Sequence, residues 1–69
     1  MDDKEPGVDV GYVELTVESP SGKAFLVQIE GEEVWIPKSQ IHDDSEVWRK
    51  GDTGNLYITQ WLAEQKGFA

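Results

Sequence analysis

The residues best suited to chemistry lie in one polar run, His42-Asp43-Asp44-Ser45-Glu46, which contains the only histidine of the chain. A catalytic relay needs an acid, a base and a nucleophile that converge on one point. Neighbouring residues of an extended loop point in different directions, so this run cannot form a relay by itself. It also lacks the regular ligand spacing of a calcium loop and the nitrogen and sulfur ligands of a zinc site. The run therefore predicts a solvated loop without a metal.

A second candidate for chemistry is the triplet Asp52-Thr53-Gly54, which is similar to the catalytic triplet of aspartic proteases. Those enzymes bring two such loops together in a much larger fold or in a dimer. Here the triplet follows Gly51, in a cluster typical of a hairpin turn. The chain also has no Gly-x-Ser-x-Gly nucleophile motif and no phosphate-binding glycine loop. The sequence thus predicts a protein that is not an enzyme, with no catalytic residue and no cofactor.

Three large aromatic residues, Trp35, Trp48 and Tyr57, are the most informative candidates for binding. The alternation of their strands predicts that their side chains face away from the core. Small barrels that bind single-stranded nucleic acid stack bases on such residues and follow the backbone with basic side chains. Three interpretations are open: the aromatics cover the open end of a small core, they bind a protein, or they bind nucleic acid. The candidate binding residues are Trp35, Lys38, Trp48, Arg49 and Tyr57.

The charge of the chain bears on this choice. The formal net charge is −8, from 14 acidic and 6 basic residues. Such a charge keeps a small protein in solution and repels the phosphates of nucleic acids at long range. A protein partner is therefore favoured over nucleic acid. Two acidic clusters are open to two interpretations, of which a solvated surface is the commoner and a rim that imitates DNA phosphates is the other. They are formed by Glu30, Glu32 and Glu33 and by Asp43, Asp44 and Glu46.

The domain organisation follows from length and composition. With 69 residues there is room for one domain. The chain has no cysteine, which fits a reducing compartment. Residues 1–9 are polar and acidic and are expected to form a disordered leader, followed by a single domain over residues 10–69. The leader has no basic start and no apolar run, so we expect no secretory signal. No segment reaches the ~20 apolar residues of a membrane span, and a cytoplasmic location is expected.

Alternation of apolar and polar residues predicts antiparallel strands over residues 12–18, 24–30, 32–36, 46–50 and 55–58. In the first strand, Val13, Leu15 and Val17 are expected to face the core. Pro37 should end pairing of the third strand, and a 3₁₀ turn is expected over residues 38–41. This set predicts a mainly β fold, a small SH3-like or OB-like barrel of five short antiparallel strands. An open, curled meander is the competing architecture.

One short helix is predicted at the C-terminal end. Thr59 can accept a hydrogen bond from an early backbone N–H group, and Gly67 can supply the left-handed residue that ends the helix. A helix of this length is too short to be stable alone, so it must dock on the sheet. The expected core consists of Phe25, Val27, Ile29, Ile36, Trp61 and Leu62.

The stretch Glu-Val-Trp-Ile-Pro-Lys-Ser-Gln-Ile, residues 33–41, resembles short uncharacterised proteins of bacteriophages and prophages. The likeness extends through residues 42–47 and 58–67 and covers roughly residues 23–67. No activity and no catalytic residue come with it. The resemblance implies a bacterial host cytoplasm and an accessory role in phage biology.

The sequence as a whole predicts a non-catalytic acidic binding module. The first hypothesis is that it binds another protein, as an inhibitor or adaptor, through the acidic rims and the exposed Trp35 or Trp48. The alternative is that it binds single-stranded nucleic acid through the exposed aromatics of a small barrel. The sequence leaves the oligomeric state open.

Overall fold

The computed structural model describes residues 6–68, which contain four strands, one 3₁₀ turn and one α-helix. These are β1 (Val8–Glu18), β2 (Ala24–Ile29), β3 (Glu32–Pro37), a 3₁₀ turn (Lys38–Gln40), β4 (Gly54–Ile58) and α1 (Gln60–Lys66). The strands pair antiparallel in the order β3-β2-β1-β4. The prediction of a mainly β fold with one short C-terminal helix is confirmed.

The sheet formed by residues 6–68 is open and has four strands, so the closed barrel of five strands is not formed there. The strand predicted over residues 46–50 is instead a loop. Its backbone is turned by Asp52, whose Oδ2 accepts hydrogen bonds from the N–H groups of Trp48 and Arg49 at 2.8 and 2.9 Å. A side chain that takes these donors competes with a strand ladder for them. The loop therefore forms no fifth strand, although an isolated bridge between Ile41 and Ile58 and the hydrogen bond from the Glu46 N–H to the Asn55 carbonyl hold it along β4.

The first strand is longer than predicted. It begins at Val8, so Val8 and Asp9 of the predicted leader belong to β1, while residues 1–5 lie outside the described residues. Its first half pairs with β4 and its second half with β2. β1 is thus the strand that joins the two halves of the sheet.

A β-bulge in β1 changes which residues face the core. Val13 lies opposite Ile29, but Leu15 lies opposite Gln28, so Glu14 has no partner in β2. One extra residue moves the following side chains to the other face of the sheet. Consequently Thr16 is buried, whereas Leu15 and Val17 are 49% and 45% exposed. The prediction that Leu15 and Val17 face the core with Val13 is wrong.

The turn between β2 and β3 fixes the register of that hairpin. Glu30 and Gly31 both have positive φ, 53° and 82°, as the two central residues of a type I′ turn do. Ile29 therefore pairs with Glu32, and the ladder continues to Ala24 opposite Pro37. The predicted strands on either side of Gly31 and the end of pairing at Pro37 are confirmed.

The core lies between one face of the sheet, called here the inner face, and the covering formed by α1 and the loop that follows the 3₁₀ turn. Its buried apolar residues are Val13, Phe25, Val27, Ile29, Ile36, Ile41, Val47, Leu56, Ile58, Leu62 and Ala63. Five of the six predicted core residues are among them. No helix of the described residues is long and apolar enough to cross a membrane.

The predicted core residue that is not buried is Trp61, which is 59% exposed. The helix presents Leu62 and Ala63 to the core. Successive residues are about 100° apart around a helix axis, so Trp61 lies beyond the edge of that face. The predicted caps are confirmed: the Thr59 hydroxyl accepts from the Leu62 N–H at 3.2 Å, and Gly67 ends the helix with φ 83°.

Candidate binding surface

The side of the sheet opposite the core, its outer face, carries a group of exposed apolar side chains. Val17 of β1 lies opposite Leu26 of β2, and Leu26 lies opposite Trp35 of β3. Leu15 is the diagonal neighbour of Leu26, since its direct partner Gln28 is two residues further along β2. Such cross-strand neighbours are close enough to touch. We call Leu15, Val17, Leu26 and Trp35 the outer apolar face.

No part of the described chain covers this surface fully. Trp35 is 48% exposed, Leu15 and Val17 are about as exposed, and Leu26 is half-buried. Single exposed apolar residues are ordinary on a protein surface, but a contiguous group marks an interaction site. The outer apolar face is such a group.

An acidic margin lies beside this surface, toward the turn of the β2–β3 hairpin. Glu33 is exposed two residues from Trp35 on the same side of β3, and Glu30 and Glu32 are exposed next to the turn. Strand β3 contains no basic residue. The surface around Trp35 therefore combines apolar contact area with negative charge at one end.

Lys38, the first predicted basic partner of Trp35, is engaged elsewhere. Its ammonium forms an ion pair with the Glu18 carboxylate and lies 4.7 Å from the centre of the Phe25 ring. The hydrogen bond from Lys38 lowers the pKa of Glu18, and the positive charge of Lys38 lowers that pKa further. The charge of Lys38 is thus largely balanced within the protein.

Trp48 and Arg49 belong to the loop before β4. The Trp48 indole Nε1 donates to the Ser45 carbonyl oxygen at 2.7 Å, which fixes the ring against its own loop. Trp48 nevertheless remains 46% exposed, and Arg49 is exposed beside it. These two residues form a separate surface feature, anchored by Asp52.

Tyr57 shares the outer side of the sheet with Trp35 but lies far from it. It is half-buried on β4, opposite Asp9 of β1, whereas the row that contains Trp35 crosses β1 at Val17. Strand spacing and the offset along β1 place the two aromatics roughly 20 Å or more apart. The structure therefore does not bring the predicted residues into one platform; it brings Trp35 together with Leu15, Val17 and Leu26.

The residues considered for chemistry have structural partners. Nδ1 of His42 accepts a hydrogen bond from the Asp44 N–H at 3.1 Å. The His42 ring packs against Gly7, where the Cβ of any larger residue would lie 2.7 Å from the ring. Asp52 holds the turn at Trp48, as described above. Within residues 6–68 no three acidic or histidine side chains are grouped so that they would hold a metal ion.

Two of the four residues of the outer apolar face, Leu15 and Val17, were predicted to face the core instead. The cause is the unpaired Glu14, a bulge for which the sequence contains no characteristic residue. The other irregularity of β1, between Asp9 and Gly11, does carry a signal, since Gly11 has φ 115° and glycine in a strand often marks a bulge. Leu26 follows the regular alternation of β2 and lies on the face opposite Val27.

Comparison of the chain with protein-family models, with curated proteins and with solved structures gives no match. The similarity to short phage proteins therefore stays a prediction.

Proposed function

We propose that this protein is a non-catalytic binding module whose partner is another protein, and that the partner docks on the outer apolar face. The observation that supports it is the cross-strand row Val17–Leu26–Trp35, apolar and open in a chain of net charge −8. An accessory role in phage biology, as an inhibitor or adaptor in a bacterial cytoplasm, belongs to the same proposal and is supported by the resemblance alone.

The exposed area of the outer apolar face is large enough to contribute substantially to the binding of a partner. The exposed parts of the four side chains amount to on the order of 300 Å², and at about 25 cal/mol per Å² covering them would stabilise a complex by roughly 7 kcal/mol before other costs. Loss of translational and rotational freedom opposes association by an amount of similar size. The outer apolar face is therefore the centre of an interface that needs further polar contacts around it.

The alternative, binding of single-stranded nucleic acid, has less support. The Lys38 charge is paired with Glu18, and the margin next to Trp35 is acidic. A groove for nucleic acid needs basic side chains that follow the backbone between the stacked bases. A protein partner accommodates an acidic margin more easily.

The experiment uses the three tryptophans, which are all about half exposed but lie in different places. The wild-type protein and the Trp35→Ala, Trp48→Ala and Trp61→Ala variants are immobilised, and captured bacterial proteins are quantified by mass spectrometry. We expect a specific partner to be lost at least tenfold with Trp35→Ala and to be retained with Trp61→Ala. Circular dichroism checks that each variant is folded.

Three other results are informative. Equal capture by the wild type and Trp35→Ala would refute the outer apolar face as the docking surface. Loss of partner capture with Trp48→Ala alone would show that the docking surface is the loop before β4. Salt-dependent retention of single-stranded DNA or RNA, abolished by Trp35→Ala, would favour the nucleic-acid alternative.

A further inference from the structure

The free edge of β3 borders the outer apolar face. β3 is the terminal strand of the sheet, and among residues 6–68 it pairs with β2 alone. The opposite edge is different. There the Glu46 N–H donates to the Asn55 carbonyl and the His42 N–H to the Tyr57 carbonyl, each at 2.9 Å. The chain thus covers the edge of β4 and leaves that of β3 open.

The hairpin register shows which backbone groups the open edge offers. In a two-residue hairpin the closing pair, here Ile29 and Glu32, is a hydrogen-bonded pair, and bonded and non-bonded pairs alternate from there. Glu33 and Trp35 are therefore in non-bonded pairs with β2. Their N–H and C=O groups point away from β2, and no hydrogen bond from another part of the described chain reaches them.

The length of the open edge is also defined. The next outward position, Pro37, has no N–H group, so a further strand cannot continue past it with full pairing. The edge offers two donors and two acceptors, from Glu33 and Trp35. This is the length of a short linear segment, which gains affinity from main-chain hydrogen bonds and specificity from alternate side chains.

The charges along β3 indicate the composition of such a segment. A residue placed opposite Trp35 would lie on the outer side of the sheet and contact the outer apolar face. A residue placed opposite Glu33, two positions away on the same side, would meet a carboxylate, and its neighbour would meet Glu32. Opposite charges facing each other across strands are stabilising and like charges are destabilising.

We propose that the partner adds to β3 as a fifth, antiparallel strand, through an extended segment with an apolar residue opposite Trp35 and basic residues opposite Glu33 and Glu32. This inference rests on the proposed function and specifies how the partner docks. A second copy of the chain fits the edge less well, because it brings another net charge of −8 and no basic residue in β3. Acidic residues and proline on an edge strand oppose such self-pairing, and the acidic residues select a basic partner.

The first test uses synthetic peptides as probes. The peptide Thr-Val-Phe-Val-Lys-Lys, run antiparallel to β3, places phenylalanine opposite Trp35 and the lysines opposite Glu33 and Glu32. Its binding is followed by amide NMR of the whole protein. We expect the Glu33 and Trp35 amide signals to shift most. Methylation of the phenylalanine and first lysine nitrogens should weaken binding at least tenfold, because these N–H groups face the edge, whereas methylation of the second valine nitrogen should not.

Two matched controls separate charge from backbone pairing. A peptide with glutamate in place of both lysines should bind at least tenfold more weakly. In the protein, Glu33→Gln removes the charge alone, while Glu33→Pro also removes an outward N–H group. The β2–β3 ladder should tolerate that proline, because Pro37 already occupies an equivalent outward position. We expect a few-fold loss of peptide binding with Glu33→Gln and a tenfold or greater loss with Glu33→Pro.

The outcomes distinguish this inference from the function on which it rests. Absence of peptide binding at millimolar concentration, or equal effects of the three nitrogen methylations, would overturn strand addition. If Trp35→Ala abolished capture of a cellular partner while Glu33→Pro retained it, docking on the outer apolar face would stand and strand addition would fall. If the two variants both captured the partner like the wild type, both proposals would fall. A dimer in sedimentation that Glu33→Pro dissociates would identify a second copy as the occupant.

Discussion

Replacing one valine at a time in β1 tests the bulge that creates the outer apolar face. Val13 and Val17 are the same residue type in the same strand, and regular alternation would place both on one face. In the structure Val13 is 0% exposed and Val17 is 45% exposed. The effects of Val13→Ala and Val17→Ala on stability should therefore differ widely.

The size of the difference follows from the buried groups. Val13→Ala removes the equivalent of two buried methylenes, at about 0.8 kcal/mol each, and leaves a cavity, so we expect a loss of about 2–3 kcal/mol. Val17→Ala should cost below ~1 kcal/mol, as for a surface substitution. The free energy of unfolding of a domain of this length is roughly 3.5–10 kcal/mol. The Tm of the Val13→Ala variant should therefore be roughly 10–20 °C lower than that of the wild type.

Urea unfolding followed by circular dichroism measures both variants, with the wild type as reference and the denaturant slope checked for constancy. Thr16→Val provides an independent check. The Thr16 hydroxyl is buried and donates to the Asp52 carbonyl oxygen at 2.8 Å, so its loss should cost ~1–2 kcal/mol. Equal costs for Val13→Ala and Val17→Ala, with no cost for Thr16→Val, would show that β1 has no bulge at this point.

Two further predictions concern the helix and one ion pair. Leu62→Ala should lower the free energy of unfolding by ~2–5 kcal/mol. Trp61→Ala should lower it by less than ~1 kcal/mol, because Trp61 is 59% exposed. Similar unfolding midpoints for the two variants would contradict the observed helix orientation. Lys38→Met should raise the pKa of Glu18 toward its ordinary value, since the hydrogen bond from Lys38 lowers it. In the wild type the stabilisation from this pair is present above the unfolded-state pKa of Glu18 and is lost as pH falls through the lowered folded-state pKa. Carboxyl carbon NMR titration of both proteins measures the shift, and an unchanged Glu18 titration would refute the role of Lys38.

Local signals in the sequence were sufficient for much of the fold. The strands on either side of Gly31, the end of pairing at Pro37, and the two ends of the helix at Thr59 and Gly67 were all predicted. Each of these depends on the chemistry of one or two residues acting on their own backbone. Such effects are independent of the remainder of the fold, which is why they could be predicted.

The predictions that were wrong concern residues whose conformation or direction depends on contacts with distant parts of the chain. Residues 46–50 alternate like a strand, but Asp52 binds two of their N–H groups. Leu15 and Val17 follow the alternation of Val13, but one unpaired residue reverses their direction. Trp61 is the largest apolar residue of the helix, yet the packing of Leu62 and Ala63 determines which side docks. Of the predicted binding residues, only Trp35 was thereby placed among other exposed apolar side chains.

The division of β1 between two partners has a consequence for how the chain folds. Its second half pairs with β2 across a connection of residues 19–23, and β2 pairs with β3 across two residues, so these three strands form a local meander. Its first half pairs with β4, where Val8 meets Ile58 near the end of the chain. Closing that long loop costs more entropy than closing the short ones. The meander can therefore form first during synthesis, and its apolar inner side has no cover until the loop after the 3₁₀ turn and α1 have left the ribosome.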